Sequence, residues 1–220
     1  MSDDVPTAGT ITDLEVQTND ADRVSVFVDD AFAFGAHQDL IAKHGLRVGT
    51  TLTVEQQRAI EAEDQAIRAK QRALDYLAYK PRTEQEVRRK LEQEDVPPAA
   101  VDDVVARIKE LGYLDDETYA HDYAHNRFSN KQYGPERIRR ELRERGIDRH
   151  LADAAIDAVF ANADPVDAAR AHAEKRWSRI DADADPRRQK QKLYRYLKRR
   201  GFTSDTVYRI LDEFVDDRSW

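Results

Sequence analysis

Apolar residues recur along this chain of 220 residues in a pattern that repeats three times. With Val96, Ile147 and Phe202 as a common reference, Val87, Ile138 and Leu193 stand nine residues earlier and Leu91, Leu142 and Leu197 five earlier. Val101, Ala152 and Val207 follow five residues later, Val105, Ile156 and Leu211 nine later, and Ile108, Val159 and Phe214 twelve later. Such steps keep the apolar side chains of each segment on one helical face. The period is 51 and then 55 residues. A further helical stretch precedes each set: Val54–Tyr79, Asp116–Phe128 and Val166–Ile180. The pattern therefore predicts a three-helix unit that occurs three times. Start signals stand in register with it. Thr83 and Glu86 form a T-x-x-E capping box, while Gly134-Pro135 and Asp185-Pro186 each put proline at a first helical position. Any helical bundle shows apolar residues at such spacings; caps that recur in the same register single out a repeat.

The N-terminal part follows a different period. Thr10–Gln17 alternates polar and apolar residues through Leu14 and Val16, and Arg23–Val28 follows across a polar turn, Thr18–Asp22, which together read as a hairpin. Asp29-Asp30 turns the chain into Ala31–Gly35, a third strand, and His37–His44 reads as a short helix stopped by Gly45. The expected fold is mainly α: three tandem three-helix repeats forming an elongated curved solenoid, preceded by a small β-rich N-terminal extension. The boundaries that follow are a flexible N-terminus over 1–9, the β-rich extension over 10–53, and repeats over 54–115, 116–163 and 164–220.

Composition sharpens this picture. Hydrophobic residues make up 40% of the chain and charged residues 36%, which suits units that bury only neighbouring faces better than one thick core. The absence of cysteine excludes disulfides, thiol catalysis and thiolate metal sites. Met1–Gly9 is polar and acidic, without the apolar core of a signal peptide. No apolar run approaches the roughly 20 residues of a membrane span. A soluble, cytoplasmic protein without a membrane partner is expected. The net charge of −7 argues against a general polyanion binder, but charge is unevenly placed: Arg187–Arg200 holds eight Lys or Arg and no acid.

Enzymatic constellations are scarce. No glycine-rich phosphate loop, dinucleotide fingerprint or nucleophile elbow occurs. Of the six histidines only His121 and His125 have the i, i+4 spacing of a helical metal pair, with no third ligand at a telling distance. Tyr119 and Tyr123 are expected to supply the buried stripe of that helix, and Asp115-Asp116 reads as its N-cap. No catalytic residue, cofactor site or metal site is assigned, and a non-enzymatic protein is expected. Basic residues are the stronger signal. Arg187, Arg188, Lys190, Lys192, Arg195, Lys198, Arg199 and Arg200 share one helix with Tyr194 and Tyr196. On it, Arg188, Lys192, Arg195 and Arg199 fall on a face away from Leu193 and Leu197. Asp181, Asp183 and Asp185, just ahead of that helix, would weigh against a polyanion. Arg137, Arg139, Arg140, Arg143 and Arg145 decorate the matching helix of the second unit, interrupted by Glu141 and Glu144; Lys80, Arg82, Arg88, Arg89 and Lys90 do so in the first. Cations on the same element of successive units can track a phosphate backbone, and tyrosines beside them can stack on bases. The plain alternative is a solvated face whose cations answer the helix dipole. Candidate contacts for nucleic acid or an acidic partner are Arg188, Lys192, Arg195 and Arg199, then Arg187, Lys198, Arg200, Arg137, Arg140 and Arg82.

Several stretches resemble a known family. Ala73-Leu74-Asp75-Tyr76-Leu77-Ala78, then Pro81-Arg82-Thr83-Glu84-Gln85-Glu86-Val87 and Lys90-Leu91, resemble the first signature of RecX, with Tyr79-Lys80-Pro81-Arg82 in place of its commoner arginine-rich start. Leu111–Asp116 with Tyr119-Ala120 and Tyr123 is similar to the second. Arg127, Gly134-Pro135-Glu136-Arg137-Ile138, Glu141-Leu142 and Gly146-Ile147 are similar to the third. Gly9–Thr53 resembles the β-rich extension of some members. The resemblance implies three three-helix repeats, no catalytic activity and no cofactor. It also implies a modulator, in the inhibitory sense, of the RecA recombinase, acting on the RecA filament. Single-stranded DNA, with double-stranded DNA as a further candidate, is the second implied partner; a monomer is expected. The residues alone also admit a free-standing nucleic-acid-binding protein, or a helical adaptor that binds only protein.

Overall fold

The computed structural model describes residues 8–161, 163–180 and 185–216, side chains of 215 and 216 excepted. The flexible segment expected over 1–9 lies almost wholly outside these residues, and its last member, Gly9, instead opens the first strand. Four antiparallel strands come first: β1 (Gly9–Gln17), β2 (Asp20–Val28), β3 (Ala31–His37) and β4 (Thr51–Leu52), in the order β3-β2-β1-β4. The β2–β3 turn is Asp29-Asp30, both at positive φ (49° and 65°), as a tight hairpin of primed type requires. Asp29 Oδ1 accepts from the Thr10 N–H at 3.0 Å. β3 runs two residues past the expected Gly35, because His37 serves both as its last residue and as the N-cap of α1 (Gln38–Lys43), accepting from the Asp39 N–H. β4 has no counterpart in the sequence expectation; two residues are too short to show a period of two.

The inward side of the sheet carries Ile11, Val26, Val28, Phe34 and Ala36. These close a core with Leu40, Leu46, Leu52 and Ile60, the last from α2 (Val54–Tyr79). Beside this core lies an ion pair between the buried Asp64 and the half-buried Arg23. Arg23 of β2 grips Asp64 of α2 through two hydrogen bonds, at 2.9 and 3.0 Å, and also donates to the Gly35 carbonyl. The His37 N–H adds another bond to Asp64, at 2.9 Å. Sheet and helix are thus joined by both apolar and charged contacts.

Among the described residues, the helices from α2 onward fall into three sets of three. The sets are α2, α3 (Glu84–Glu92) and α4 (Pro98–Glu110); α5 (Asp116–Lys131), α6 (Pro135–Glu144) and α7 (Arg149–Phe160); α8 (Pro165–Trp177), α9 (Pro186–Arg200) and α10 (Ser204–Asp216). Of the eighteen recurring apolar positions, fifteen are buried, and the other three (Val96, Val159, Phe214) are half-buried, so the repeat is a repeat of cores. The chain divides into two compact units, one comprising residues up to 80 with 87–113, the other 81–86 with residues from 114 on. In the first, α2 packs on α4, and Ala69 and Ala73 are buried on α2. In the second, α5 packs on α7, and α8, α9 and α10 enclose a core of Val166, Ala169, Leu193, Leu197, Phe202, Val207, Ile210 and Leu211.

The buried stripe of α5 corrects the expectation for that helix. Its buried residues are Ala120 and Ala124, while Tyr119 and Tyr123 are only half-buried. Alanine lets α5 approach Ala152 and Ala155 of α7 closely, and the tyrosines lie at the margin of that contact. No helix among the described residues is long and apolar enough to cross a membrane.

Candidate nucleic-acid and partner interface

The middle helices α3, α6 and α9 carry the candidate cations, and their starts explain how they are held. Thr83 and Glu86 cap α3 reciprocally, each side chain accepting from the other's backbone N–H at 3.2 Å. Within the second unit, the Thr83 hydroxyl also donates to the Arg145 carbonyl at the end of α6, at 2.6 Å, and Arg145 pairs with Glu86 at 2.8 Å. The same junction recurs one repeat later. Gly134 N–H donates to the Arg200 carbonyl at 2.9 Å and Glu136 N–H to the Gly201 carbonyl at 3.0 Å, while Lys198 bonds Glu136 at 2.8 Å. The first orphan N–H groups of one helix are thus satisfied by the last orphan carbonyls of another. Two glycines allow it. Gly146 (φ 84°) and Gly201 (φ 93°) adopt the left-handed conformation at the helix ends, and a Cβ on either would strike Gln85 or Arg137.

Arginines and tyrosines alternate beside these junctions. Tyr123 donates to Glu141 at 2.9 Å and lies between Arg127 and Arg145, whose guanidinium carbons stand 4.6 and 4.9 Å from its ring. Glu141 also takes Arg127 at 3.0 Å and Arg137 at 2.8 Å. Burial alone would raise its carboxyl pKa; the hydrogen bonds from Arg137 and Tyr123, with the nearby guanidinium charges, outweigh burial and hold it below the usual carboxylate range. Arg137 sits 3.7 Å over Tyr133, and Arg200 lies 5.7 Å from Tyr133 and 5.3 Å from Tyr196. His172 is buried in the same region. Its Nε2 faces the Gln132 carbonyl at 3.1 Å and its Nδ1 the Tyr196 hydroxyl at 3.4 Å. That geometry fits the Nε2–H tautomer, donating to the carbonyl and accepting from the phenol.

The ten sequence-predicted contacts therefore divide. Arg137, Lys198 and Arg200 are half-buried and committed to the junctions, and Arg82 is half-buried ahead of α3. Arg140 is exposed and, among the described residues, pairs only with Glu144, at 3.7 Å. Arg187, Arg188, Lys192, Arg195 and Arg199 are all exposed on α9. Among the described residues no carboxylate lies within ion-pair distance of Arg188, Lys192, Arg195 or Arg199; the half-buried Lys190 takes Asp212 at 3.4 Å. The position seven before the reference is an exposed arginine in every repeat: Arg89, Arg140 and Arg195. Helix α9 also differs from its counterparts. Whereas α3 and α6 begin twelve residues before Val96 and Ile147, α9 begins sixteen before Phe202, one turn earlier. That extra turn carries Arg187 and Arg188 at the positive end of the helix, where α3 has Glu84 and Glu86 and α6 has Glu136. Cations there oppose the macrodipole by about 0.3–1 kcal/mol each, so helix stability does not account for them. His121 and His125 are exposed, His121 beside Asp122 and His125 3.5 Å from Ser129. Of the three acids ahead of α9, Asp181 and Asp183 lie outside the described residues, and Asp185 is the N-cap, accepting from the Arg187 N–H. Sequence reasoning missed the ion pairs of the junctions because their partners lie far apart along the chain, Arg145 and Glu86 by 59 residues and Lys198 and Glu136 by 62.

A β-sheet followed by three capped three-helix repeats, with arginine-clamped junctions and an exposed cationic helix, defines a helical-repeat protein. Four family models cover it: the RecX N-terminal domain over residues 9–53 and the first, second and third RecX three-helix domains over 69–107, 115–156 and 163–211. The chain belongs to the RecX family of regulatory proteins. It is 32% identical to the regulatory protein RecX of Bacillus licheniformis, over 92% of this chain and 76% of that one. To the regulatory protein RecX of Clostridium acetobutylicum it is 30% identical, over 96% and 98%. A crystal structure of regulatory protein RecX superposes with a TM-score of 0.73 at 29% identity, covering 96% of this chain and 100% of that one.

Proposed function

We propose that this protein binds the RecA recombinase filament and single-stranded DNA and inhibits the recombinase's ATP hydrolysis, coprotease and strand-exchange activities. It acts in the cytoplasm as a monomer, by occupying surface and without a catalytic step. The observation that carries the reading is the row Arg188, Lys192, Arg195 and Arg199, exposed on α9 and unpaired among the described residues. Family membership supports a regulatory role, and the row supplies a means of engaging a phosphate backbone inside a protein of net charge −7. The acidity elsewhere opposes indiscriminate DNA binding, which suits a protein that works where DNA and a protein partner meet.

The test is the ATP hydrolysis of the cognate recombinase on single-stranded DNA, with and without this protein, in the host's working salt. Substoichiometric protein slows hydrolysis; an unchanged rate at equimolar protein refutes the reading. Replacing the four cations by Gln weakens DNA binding and flattens its salt dependence, at roughly 0.7 of a log unit per log unit of salt for each phosphate no longer neutralised. Because all four side chains are exposed, melting temperature stays near that of the wild type. Wild-type affinity and slope in that variant would reduce the row to a solvated face.

A further inference from the structure

One pair of positions changes its chemistry between the repeats. Eight residues before the reference and six after it, the middle and last helices of each repeat touch. In the first repeat the contact is Arg88 with Asp102, at 2.6 Å; in the second it is Arg139 with Asp153, at 2.5 Å. In the third repeat the same two positions hold Tyr194 and Tyr208, ring centroids 5.7 Å apart and tilted by 44°. An ion pair at the surface has become an aromatic pair. Core packing accounts for Tyr194, which is half-buried against the third-repeat core, but not for Tyr208, which is 54% exposed. The exchange occurs in the one repeat whose middle helix carries eight cations and no acid. Tyr194 lies one helical turn from Lys190 and Lys198 and next to Arg195. On α10, Asp205 and Asp212 flank Tyr208 by about a turn, and Lys190 neutralises Asp212.

We propose that Tyr194 and Tyr208 form a stacking platform for a base of single-stranded nucleic acid, whose phosphates lie along the α9 cations. The proposal deepens the reading above and rests on its DNA-binding part. Phosphate contacts hold any backbone, and an exposed aromatic face adds affinity only where a base is present. Tyr208 presents its ring to solvent, Tyr194 braces it from α9, and the flexible backbone of a single strand lets a base turn onto the ring. Duplex DNA, with its bases already stacked on one another, gains nothing from the platform.

The double variant Tyr194→Arg with Tyr208→Asp tests this. It installs the contact already used in the first two repeats and leaves net charge unchanged. The measurement is anisotropy of labelled oligothymidylate and of an abasic strand of equal length, across a salt series. Wild-type protein prefers oligothymidylate by about tenfold, the order expected for one stacked base. The double variant loses that preference, binding oligothymidylate as it binds the abasic strand, with the salt slope intact. Tyr208→Ala, at a position more than half exposed and outside the buried core, does the same, and Tyr208→Phe keeps the preference. Equal wild-type affinity for the two strands, or a preference that survives both variants, overturns the platform and leaves the cationic row standing. A wild-type protein that binds neither strand overturns both.

Discussion

The glycine junctions make a prediction that separates backbone conformation from packing. Alanine at Gly146 or Gly201 meets two penalties. The left-handed φ of 84° or 93° costs an alanine about 1–2 kcal/mol, and overpacking adds about 1–3 kcal/mol. The obstructing atoms differ. At Gly146 the new Cβ would overlap Oε1, Cβ and Cδ of Gln85, all in one side chain. At Gly201 it would overlap not only Arg137 Cβ but also Arg137 N, and would lie 2.8 Å from its Cα. Removing the Gln85 side chain therefore relieves the first clash, whereas removing the Arg137 side chain leaves backbone in the way of the second. Gly112 serves as a control, at φ 76° with nothing within 4 Å.

Chemical unfolding followed by circular dichroism reads these terms, evaluated as double-mutant cycles. Gly112→Ala costs only the conformational part. Gly146→Ala costs more and is rescued by Gln85→Gly, with a coupling of about 1–3 kcal/mol, the size of an overpacking penalty. Gly201→Ala costs at least as much and shows little coupling to Arg137→Gly, the effect of removing Arg137's own ion pair cancelling within the cycle. If both junction alanines cost no more than Gly112→Ala, or if the two cycles couple equally, the helix ends do not meet in this way.

Three further outcomes follow from the charged interior. Asp64→Ala leaves the half-buried Arg23 without its counter-charge and destabilises the first unit by up to about 3 kcal/mol in urea unfolding, the lower end of the range for a broken buried pair; an effect below about 1 kcal/mol, the range of exposed pairs, would mean that water screens the site. Burial first, then the charge of Arg200, lowers the His172 pKa below its ordinary value near 6.5 against the pull of the Lys131 and Gln132 carbonyls. The folded state then binds fewer protons than the unfolded one between the two pKa values, so stability is full above about pH 6.5 and falls as pH drops through that window. His172→Gln abolishes this slope, and a variant with the wild-type slope refutes the assignment. Glu141 has a lower range: its depressed carboxyl stabilises the fold above about pH 4.3 and ceases to do so as pH falls through the folded value. Glu141→Gln removes that acid-dependent change, measured by melting temperature from neutral pH into mild acid.

How much of this was legible depended on the range of the interaction. Helix existence and buried face are local, and the eighteen apolar positions marked them because α3, α6 and α9, and likewise α4, α7 and α10, hide one stripe each. Helix ends were less legible. Lys131 continues α5 beyond the expected Phe128, since no breaker precedes Gln132, which closes the helix in the left-handed conformation at φ 50°. Helix α8 stops at Trp177, short of Ile180, in a turn that no glycine or proline announces. The partners of Arg137, Arg145 and Lys198 were not legible at all from charge patterning. A run of cations looks the same whether its members reach solvent or a carboxylate some 60 residues away, as Lys198 does at Glu136.

Register restores part of what charge patterning hides. Glu86, Arg137 and Lys192 occupy one position of the repeat, ten residues before the reference. Glu86 is clamped by Arg145, and Arg137 is wedged against Gly201 and the Arg199 carbonyl, whereas Lys192 is exposed and no described segment covers it. A position that must answer a neighbour in two repeats is relieved of that duty in the third. The same holds eight residues before the reference, where Arg88 and Arg139 hold aspartates and Tyr194 meets another tyrosine. Stability fixes the clamped copies; the unclamped copy can take charges, and in Tyr208 a ring, that folding does not use. That is the physical reason to seek the proposed binding surface on α9 and α10, and not on the better-paired cations of α3 and α6.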